Sequence, residues 1–257
     1  MSQRTIGRRS VLAGLCTAIM PAAAADDKFA RDRGAMAQTV KRRLAKAGLA
    51  GHALFRPVIR AIELVPRHLF VPDTEIGSAY EDRPLPIGEG QTISDPTIVA
   101  MMTILLGVER DARVLEVGTG SGYQAAILSY LAREVFTVEI VHELARKARH
   151  RLALLGYTNV HAITGDGYLG WPGAAPFDAI IVTAGATHIP QPLIDQLKPG
   201  GRLVIPLGPN WAQEELTLVR KSSQGRLTFK RYGQVFFVDF TGQMKAEDHR
   251  QFQKTDE

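Results

Sequence analysis

Hydrophobic and polar positions alternate in two distinct ways along the chain. Over residues 34–49 the apolar positions Met36, Val40, Leu44 and Leu49 fall roughly on one helical face, and a second helical stretch covers about 52–64, before Pro66. Asp95-Pro96 reads as an N-cap with Pro at the first helical position, opening an apolar helix that runs through Leu106. From Arg113 the pattern changes to short β-branched runs separated by helices. Strands are predicted over 113–117, 135–139, 160–163, 177–183 and 202–206. Helices are predicted over about 121–132, over the stretch carrying Val141, Leu144, Ala145, Ala148, Leu152 and Leu155, and over 190–197. The continuous apolar run Ala179-Ile180-Ile181-Val182 suits a strand buried on both faces. Further strands are predicted over 215–221, 227–231 and 235–240.

Strands alternating with helices predict an α/β fold with a Rossmann-like, doubly wound, mostly parallel sheet. The helix-free end predicts antiparallel edge strands. The expected organisation is a leader over 1–25, a helical extension over 26–112 that packs on the core and carries the active-site segment, a core over 113–242, and a polar tail over 243–257.

Composition narrows the class. Of 257 residues, 45% are hydrophobic and 22% charged, which excludes a mainly disordered chain. There is one cysteine, Cys16, so an intramolecular disulfide framework and a multi-cysteine zinc site are excluded. The seven His are scattered without ligand spacing, and no metal is expected. The net charge of +5 belongs largely to residues 1–25, whose three arginines are balanced by no acid. Without them the excess is +2, so no nucleic-acid partner is expected. The run Lys41-Arg42-Arg43 reads as a solvated helix face.

That leader has a basic start with Arg8-Arg9, a short apolar stretch from Val11 to Met20, and the small residues Ala22 to Ala25. These are the parts of a secretory signal, and the arginine pair is similar to a twin-arginine signal. Cleavage after Ala25 and a periplasmic or otherwise exported location are expected; a leader that does not function would leave the protein cytoplasmic. The apolar stretch is too short to span a bilayer, so no stable membrane anchor is expected. A monomer is expected.

The main chemical signal is Glu116-Val117-Gly118-Thr119-Gly120-Ser121-Gly122-Tyr123, between a strand and a helix. Its glycines allow a tight turn and close approach of a ligand. Such a loop lies at the carboxyl ends of the strands, where open α/β sheets bind ligands. Glu139 ends the next strand, where an acid accepts hydrogen bonds from ribose hydroxyls. A nicotinamide cofactor wants G-x-G-x-x-G and room for a pyrophosphate. This loop is G-x-G-x-G with an acid, Glu116, two residues before it, which suits a cationic sulfonium cofactor. Gly165-Asp166-Gly167 adds an acid placed to contact an adenine amino group. Loop, Glu139 and Asp166 in this order resemble class I S-adenosylmethionine-dependent methyltransferases.

Upstream stand Val65-Pro66-Arg67-His68-Leu69-Phe70-Val71-Pro72, then Tyr80-Glu81-Asp82-Arg83-Pro84-Leu85-Pro86-Ile87, then Gly90-Gln91-Thr92-Ile93-Ser94-Asp95-Pro96. In this order before the glycine loop, over about 61–207, they closely resemble protein-L-isoaspartate O-methyltransferases. The resemblance implies methylation of the free carboxylate of isoaspartyl residues in damaged proteins and peptides, using S-adenosylmethionine, with repair through a succinimide. It implies Ser94 as the active-site hydroxyl, orienting the substrate carboxylate, although Ser94 and Asp95 could also simply cap the helix. Gln91 and Thr92 are expected to border cofactor and substrate. Gly118, Thr119, Gly120, Gly122, Glu116, Glu139, Asp166 and Gly167 are expected at the cofactor. Tyr123 is a loop neighbour, and His68 reads as part of a structural turn.

The end of the chain departs from the family. Phe237-Val238-Asp239-Phe240-Thr241 stands where the family has a Pro at the position of Asp239. Thr241 is a candidate contact, since in the family this segment helps to close over cofactor and substrate. Two other functions compete: a class I methyltransferase with a different substrate, and a cofactor-binding protein that has lost turnover.

Overall fold

The computed structural model describes residues 28–209 and 213–243. The expected leader, Cys16 and all of the expected tail beyond Gln243 lie outside the described residues. Helix α1 (Ala30–Lys46) buries Met36, Ala37, Val40 and Leu44, the predicted face. It stops short of Leu49 because Gly48 turns into left-handed backbone at φ 80°. The Leu49 amide then returns to the Leu44 carbonyl at 3.0 Å, closing the helix end. Helix α2 (Phe55–Leu64) starts three residues later than its pattern suggests. Helix α3 (Pro96–Leu106) begins where Asp95 predicts: the Asp95 carboxylate accepts the Ile98 amide at 2.8 Å, and Gly107 ends it at φ 68°.

Between α2 and α3 lies a small antiparallel hairpin, β1 (Leu85–Gly88) with β2 (Gln91–Ile93). Its turn passes Gly88, Glu89 and Gly90, all at positive φ. No strand is predicted there.

The main sheet has seven strands. They are β3 (Arg113–Val117), β4 (Glu134–Glu139), β5 (Val160–Thr164), β6 (Phe177–Val182), β7 (Leu197–Leu207), β8 (Glu215–Lys221) and β9 (Leu227–Gln234). Their order is β5-β4-β3-β6-β7-β8-β9; the first five are parallel, and β8 and β9 return antiparallel at one edge. Helices α4 (Tyr123–Ser129), α5 (His142–Leu154) and α6 (Gln191–Gln196) connect the parallel strands. The connection from β3 runs to β4 and that from β6 runs to β7, in opposite directions along the sheet, so the crevice between β3 and β6 is the position where such sheets take ligands.

Successive strand residues point to opposite faces. Val114, Val135, Ala179 and Ile181 join α1, α2, α3 and α4 in one apolar cluster, so residues 30–106 share the sheet's core rather than building their own. Leu115, Val117, Phe136, Val138, Ile180 and Val182 face the other way, with Leu193 of α6. No helix among the described residues is long and apolar enough to cross a membrane.

The strand predicted over 235–240 is absent. Gly233, at φ 109°, turns the chain off the end of β9, and residues 235–241 instead cross the carboxyl ends of the central strands as an irregular strap. One parallel bridge, Gly185 to Asp239, is its only ladder contact among the described residues.

Candidate active site

One crevice at the carboxyl ends of β3, β4 and β6 gathers most of the expected residues. Gln91, Thr92 and Ser94 come from β2 and the segment leading into α3; Gly118, Thr119 and Gly120 come from the loop after β3. Glu139 ends β4, Gly167 follows β5, and Thr241 comes from the strap. The crevice is also lined by residues that sequence reasoning did not assign, among them Met102, Gln124, Ile140, Thr183 and Phe240. Ile140 carries a usable signal, since it follows the ribose-type acid directly. Phe240 neighbours the candidate Thr241 in the segment expected to close over the site; Thr183 carries no such signal, because the topology alone brings it there.

The loop geometry follows from its glycines. Gly118 sits at φ 96°, and a Cβ there would overlap the Thr183 hydroxyl, which donates to the carbonyls of Val117 (3.0 Å) and Gly118 (2.7 Å). The Gly118 amide donates to the Val138 carbonyl at 2.9 Å, tying the loop to β4. Thr119 and Thr137 pair their hydroxyls at 2.6 Å. Gly122 plays a different part from the one expected: it does not line the crevice but precedes α4 at φ 90°, against Leu152.

Glu139 is the central polar group. One carboxylate oxygen accepts the Gly120 amide at 2.8 Å and the other accepts the Val141 amide at 2.9 Å. A carboxylate offers about four acceptor positions, so each oxygen keeps one free for a ligand hydroxyl. The residue is buried yet borders the crevice, which fits a ribose-bearing ligand.

Two expected acids are not in the crevice. Glu116 is fully buried, because strand parity turns it toward the α1–α4 face, beside Thr137. Neither of its oxygens has a hydrogen-bond partner among the described residues. Burial pushes its carboxyl up to about 8; the Thr137 hydroxyl pulls the other way without reaching hydrogen-bond geometry, and Glu139 adds to the rise. Asp166 turns its carboxylate onto backbone, accepting the Tyr168 amide at 2.9 Å and the Gln243 amide at 2.8 Å. Its neighbour Gly167 is what borders the crevice, and a Cβ there would meet Val117 and the Phe240 ring.

The state of Glu116 has a thermodynamic consequence. Its folded value lies above its ordinary 4.5, so the folded chain holds a proton that the unfolded chain releases. Stability from this group is full below about 4.5 and is lost as pH rises through about 8. Melting temperature should therefore fall from pH 5 to pH 8.5 more steeply in the native chain than in Glu116→Gln, by roughly 5–10 °C. Parallel curves would show that Glu116 is ionised in the folded chain.

Ser94 and Asp95 divide the two roles left open by the sequence. The Asp95 side chain caps α3. Ser94 is half-buried and borders the crevice, and its hydroxyl has no hydrogen-bond partner among the described residues. The segment is anchored two residues beyond Asp95, at Thr97. The Asp82 carboxylate accepts the Thr97 amide at 2.9 Å and its hydroxyl at 2.6 Å, and Arg43 pairs with Asp82 at 2.8 Å. Behind the crevice the Tyr123 ring packs on the buried Arg67, 5.0 Å from the guanidinium carbon. His68 lies in the expected turn, with Nδ1 2.6 Å from the Tyr80 hydroxyl and its ring 4.2 Å from that of Phe29.

Among the described residues lining the crevice, Glu139 and Asp239 are the charged ones, and none is Lys, Arg or His. Such a lining favours a cationic ligand and offers a substrate carboxylate no counter-charge of its own.

Comparison with known proteins agrees. Residues 39–245 match the family model described as protein-L-isoaspartate(D-aspartate) O-methyltransferase. The chain is 49% identical over 245 residues to protein-L-isoaspartate O-methyltransferase 2 of Syntrophobacter fumaroxidans, covering 94% of this chain and 99% of that one. It is 56% identical over 185 residues to the protein of the same name from Shewanella sediminis, covering 72% and 75%. Among solved structures, a protein-L-isoaspartate O-methyltransferase superposes with a TM-score of 0.71 at 28% identity, over 81% of this chain and 67% of that one. A Plasmodium falciparum protein described as a putative member, in complex with S-adenosyl-L-homocysteine, shares the fold with a TM-score of 0.66 at 22% identity, over 79% and 97%.

Proposed function

The chain belongs to the protein-L-isoaspartate(D-aspartate) O-methyltransferase family, and on that premise we propose how its own residues carry the reaction. The enzyme methylates the free carboxylate of isoaspartyl residues in damaged proteins and uses S-adenosylmethionine. When bound, that cofactor supplies the methyl group and a positively charged sulfur as leaving group. Attack of a carboxylate oxygen on that methyl group would displace the sulfur, and no proton would need to move. A carboxylate is already ionised at neutral pH, so no general base is required. The backbone nitrogen of the next residue then attacks the ester carbonyl and expels methanol to close a succinimide, and addition of water to that ring returns some normal aspartate.

The residues therefore position and exclude water rather than exchange protons. Glu139 takes the ribose hydroxyls on its free acceptor positions. Gly118, Thr119, Gly120 and Gly167 form the surface against which the cofactor lies, and Thr241 contacts it from the strap. Gln91 and Thr92 stand at the border of cofactor and substrate. Ser94 donates its hydroxyl to the substrate carboxylate and fixes its approach. Glu116 lies buried beside the loop strand and does not reach the crevice. Asp166 holds the end of the strap through the Gln243 amide, and each of its oxygens keeps a further acceptor position.

The observation that carries this assignment is the crevice lining itself, two carboxylates and no cation, with a free hydroxyl at Ser94. Incubating a peptide that carries one isoaspartyl residue with the chain and S-adenosylmethionine should convert part of it to the aspartyl form over successive cycles. An isoaspartyl content that stays constant would contradict repair.

Residues 1–25 act as a twin-arginine-like export signal, and the mature chain works as a monomer in the periplasm. The arginine pair, the short apolar stretch and the alanine run support this reading. Cell fractionation should find the protein outside the cytoplasm without these residues; full-length protein confined to the cytosol would overturn it.

A further inference from the structure

Glu214 lies just before β8, is 2% exposed, and does not line the crevice. It nevertheless holds the strap at two points. Its backbone carbonyl accepts the Val235 amide at 3.0 Å, and its carboxylate accepts the Phe237 amide at 3.0 Å. The same carboxylate packs so closely on Gly185 that a Cβ there would overlap it. Gly185 in turn donates to the Val238 carbonyl at 2.8 Å and accepts the Phe240 amide at 2.8 Å.

The strap has no sheet ladder to fix its register beyond the single bridge at Asp239. Among the described residues these four hydrogen bonds and the Asp166 carboxylate at Gln243 help to hold its position. Yet the strap contributes Val238, Asp239, Phe240 and Thr241 to the crevice wall. A side chain with no access to the ligand thus sets where one wall of the site stands.

We propose that Glu214 is a positioning residue: its side chain, reaching the Phe237 amide while filling the space beside Gly185, seats the 235–241 strap over the cofactor crevice. The inference rests on the crevice being the cofactor site. A carboxamide could take the same place, because its oxygen accepts the Phe237 amide equally well. A methyl group could not, and it would leave that half-buried amide without a partner.

The test compares Glu214→Ala with Glu214→Gln in the full chain. Glu214→Ala should raise KM for S-adenosylmethionine about tenfold while kcat at saturation stays within about twofold, and Glu214→Gln should restore KM to within about threefold. Amide hydrogen exchange at Phe237 and Phe240, read without ligand, should speed up about tenfold in Glu214→Ala and not in Glu214→Gln. If the Ala variant does not fold, Glu214→Asp, one methylene shorter, should show the same exchange increase. Unchanged exchange, or equal losses in the Ala and Gln variants, would overturn the proposal. Faster exchange with no effect on cofactor KM would show that the strap is seated by Glu214 but that the crevice is not the cofactor site.

Discussion

Replacing Glu139 with Ala should weaken S-adenosylmethionine binding by about 30- to 1,000-fold. The carboxylate accepts the Gly120 amide at 2.8 Å and the Val141 amide at 2.9 Å. One of these bonds holds the glycine loop and the other holds the entry to α5, so a single side chain sets the spacing between two walls of the crevice. Removing it leaves two amides unpaired and removes the acceptors for the ribose hydroxyls. Each lost bond to a charged group is worth about 1.5–3 kcal/mol, and partial solvation of the exposed amides brings the sum to about 2–4 kcal/mol. Glu139→Gln should fall between, because its amino group would face one of the two backbone donors. Calorimetric titration of the variants measures this directly. Native affinity in Glu139→Ala would remove Glu139 from the cofactor site.

Ser94→Ala should lower kcat by about 10- to 100-fold, corresponding to one hydrogen bond to a charged group, while cofactor affinity stays within about twofold. The Ser94 hydroxyl borders the crevice and is bound to nothing else in the described residues. Its loss costs the fold little, and melting temperature should stay within about 1 °C. Asp95→Ala should do the reverse to stability. It removes the cap on the Ile98 amide, which costs about 1 kcal/mol and about 2–4 °C. Ser94→Thr should retain most of the rate if the hydroxyl is what matters. A Ser94→Ala enzyme with native kcat would mean that the substrate carboxylate is oriented by other groups.

The parallel core was legible because buried strands leave continuous apolar runs, and because glycine marks where β3 gives way to α4. The start of α3 was legible because Asp95-Pro96 encodes a cap and a first helical position together. The hairpin over 85–93 was hidden, since Pro84 and Pro86 break the alternation and its strands are only four and three residues long. The strap reads as a strand for the opposite reason. Its alternation is real, with Val235 buried and Phe236 exposed, but Gly233 takes it off the sheet edge and it packs on Glu214 and Gly185 instead.

At the site, residue types were legible and side-chain directions were not. Glu116 and Glu139 both end up beside the loop, but Glu116 is still paired on both sides within β3 and turns under the sheet face, while Glu139 ends its strand and reaches the crevice. Asp166 stands in the expected loop but does not line the crevice, and its carboxylate accepts two backbone amides, one of them from Gln243, 77 residues away. Such a partner has no trace in local sequence. Neither does Glu214, whose part depends wholly on where the chain returns after β9.

The central claim is methyl transfer to an isoaspartyl carboxylate in this crevice. It is tested most directly by offering labelled S-adenosylmethionine and two peptides of identical sequence, one with an isoaspartyl and one with a normal aspartyl residue. Label should enter the isoaspartyl peptide as a base-labile ester, in an amount that Ser94→Ala reduces, and should not enter its twin. Equal labelling of both peptides, or of neither while the cofactor binds, would contradict the account.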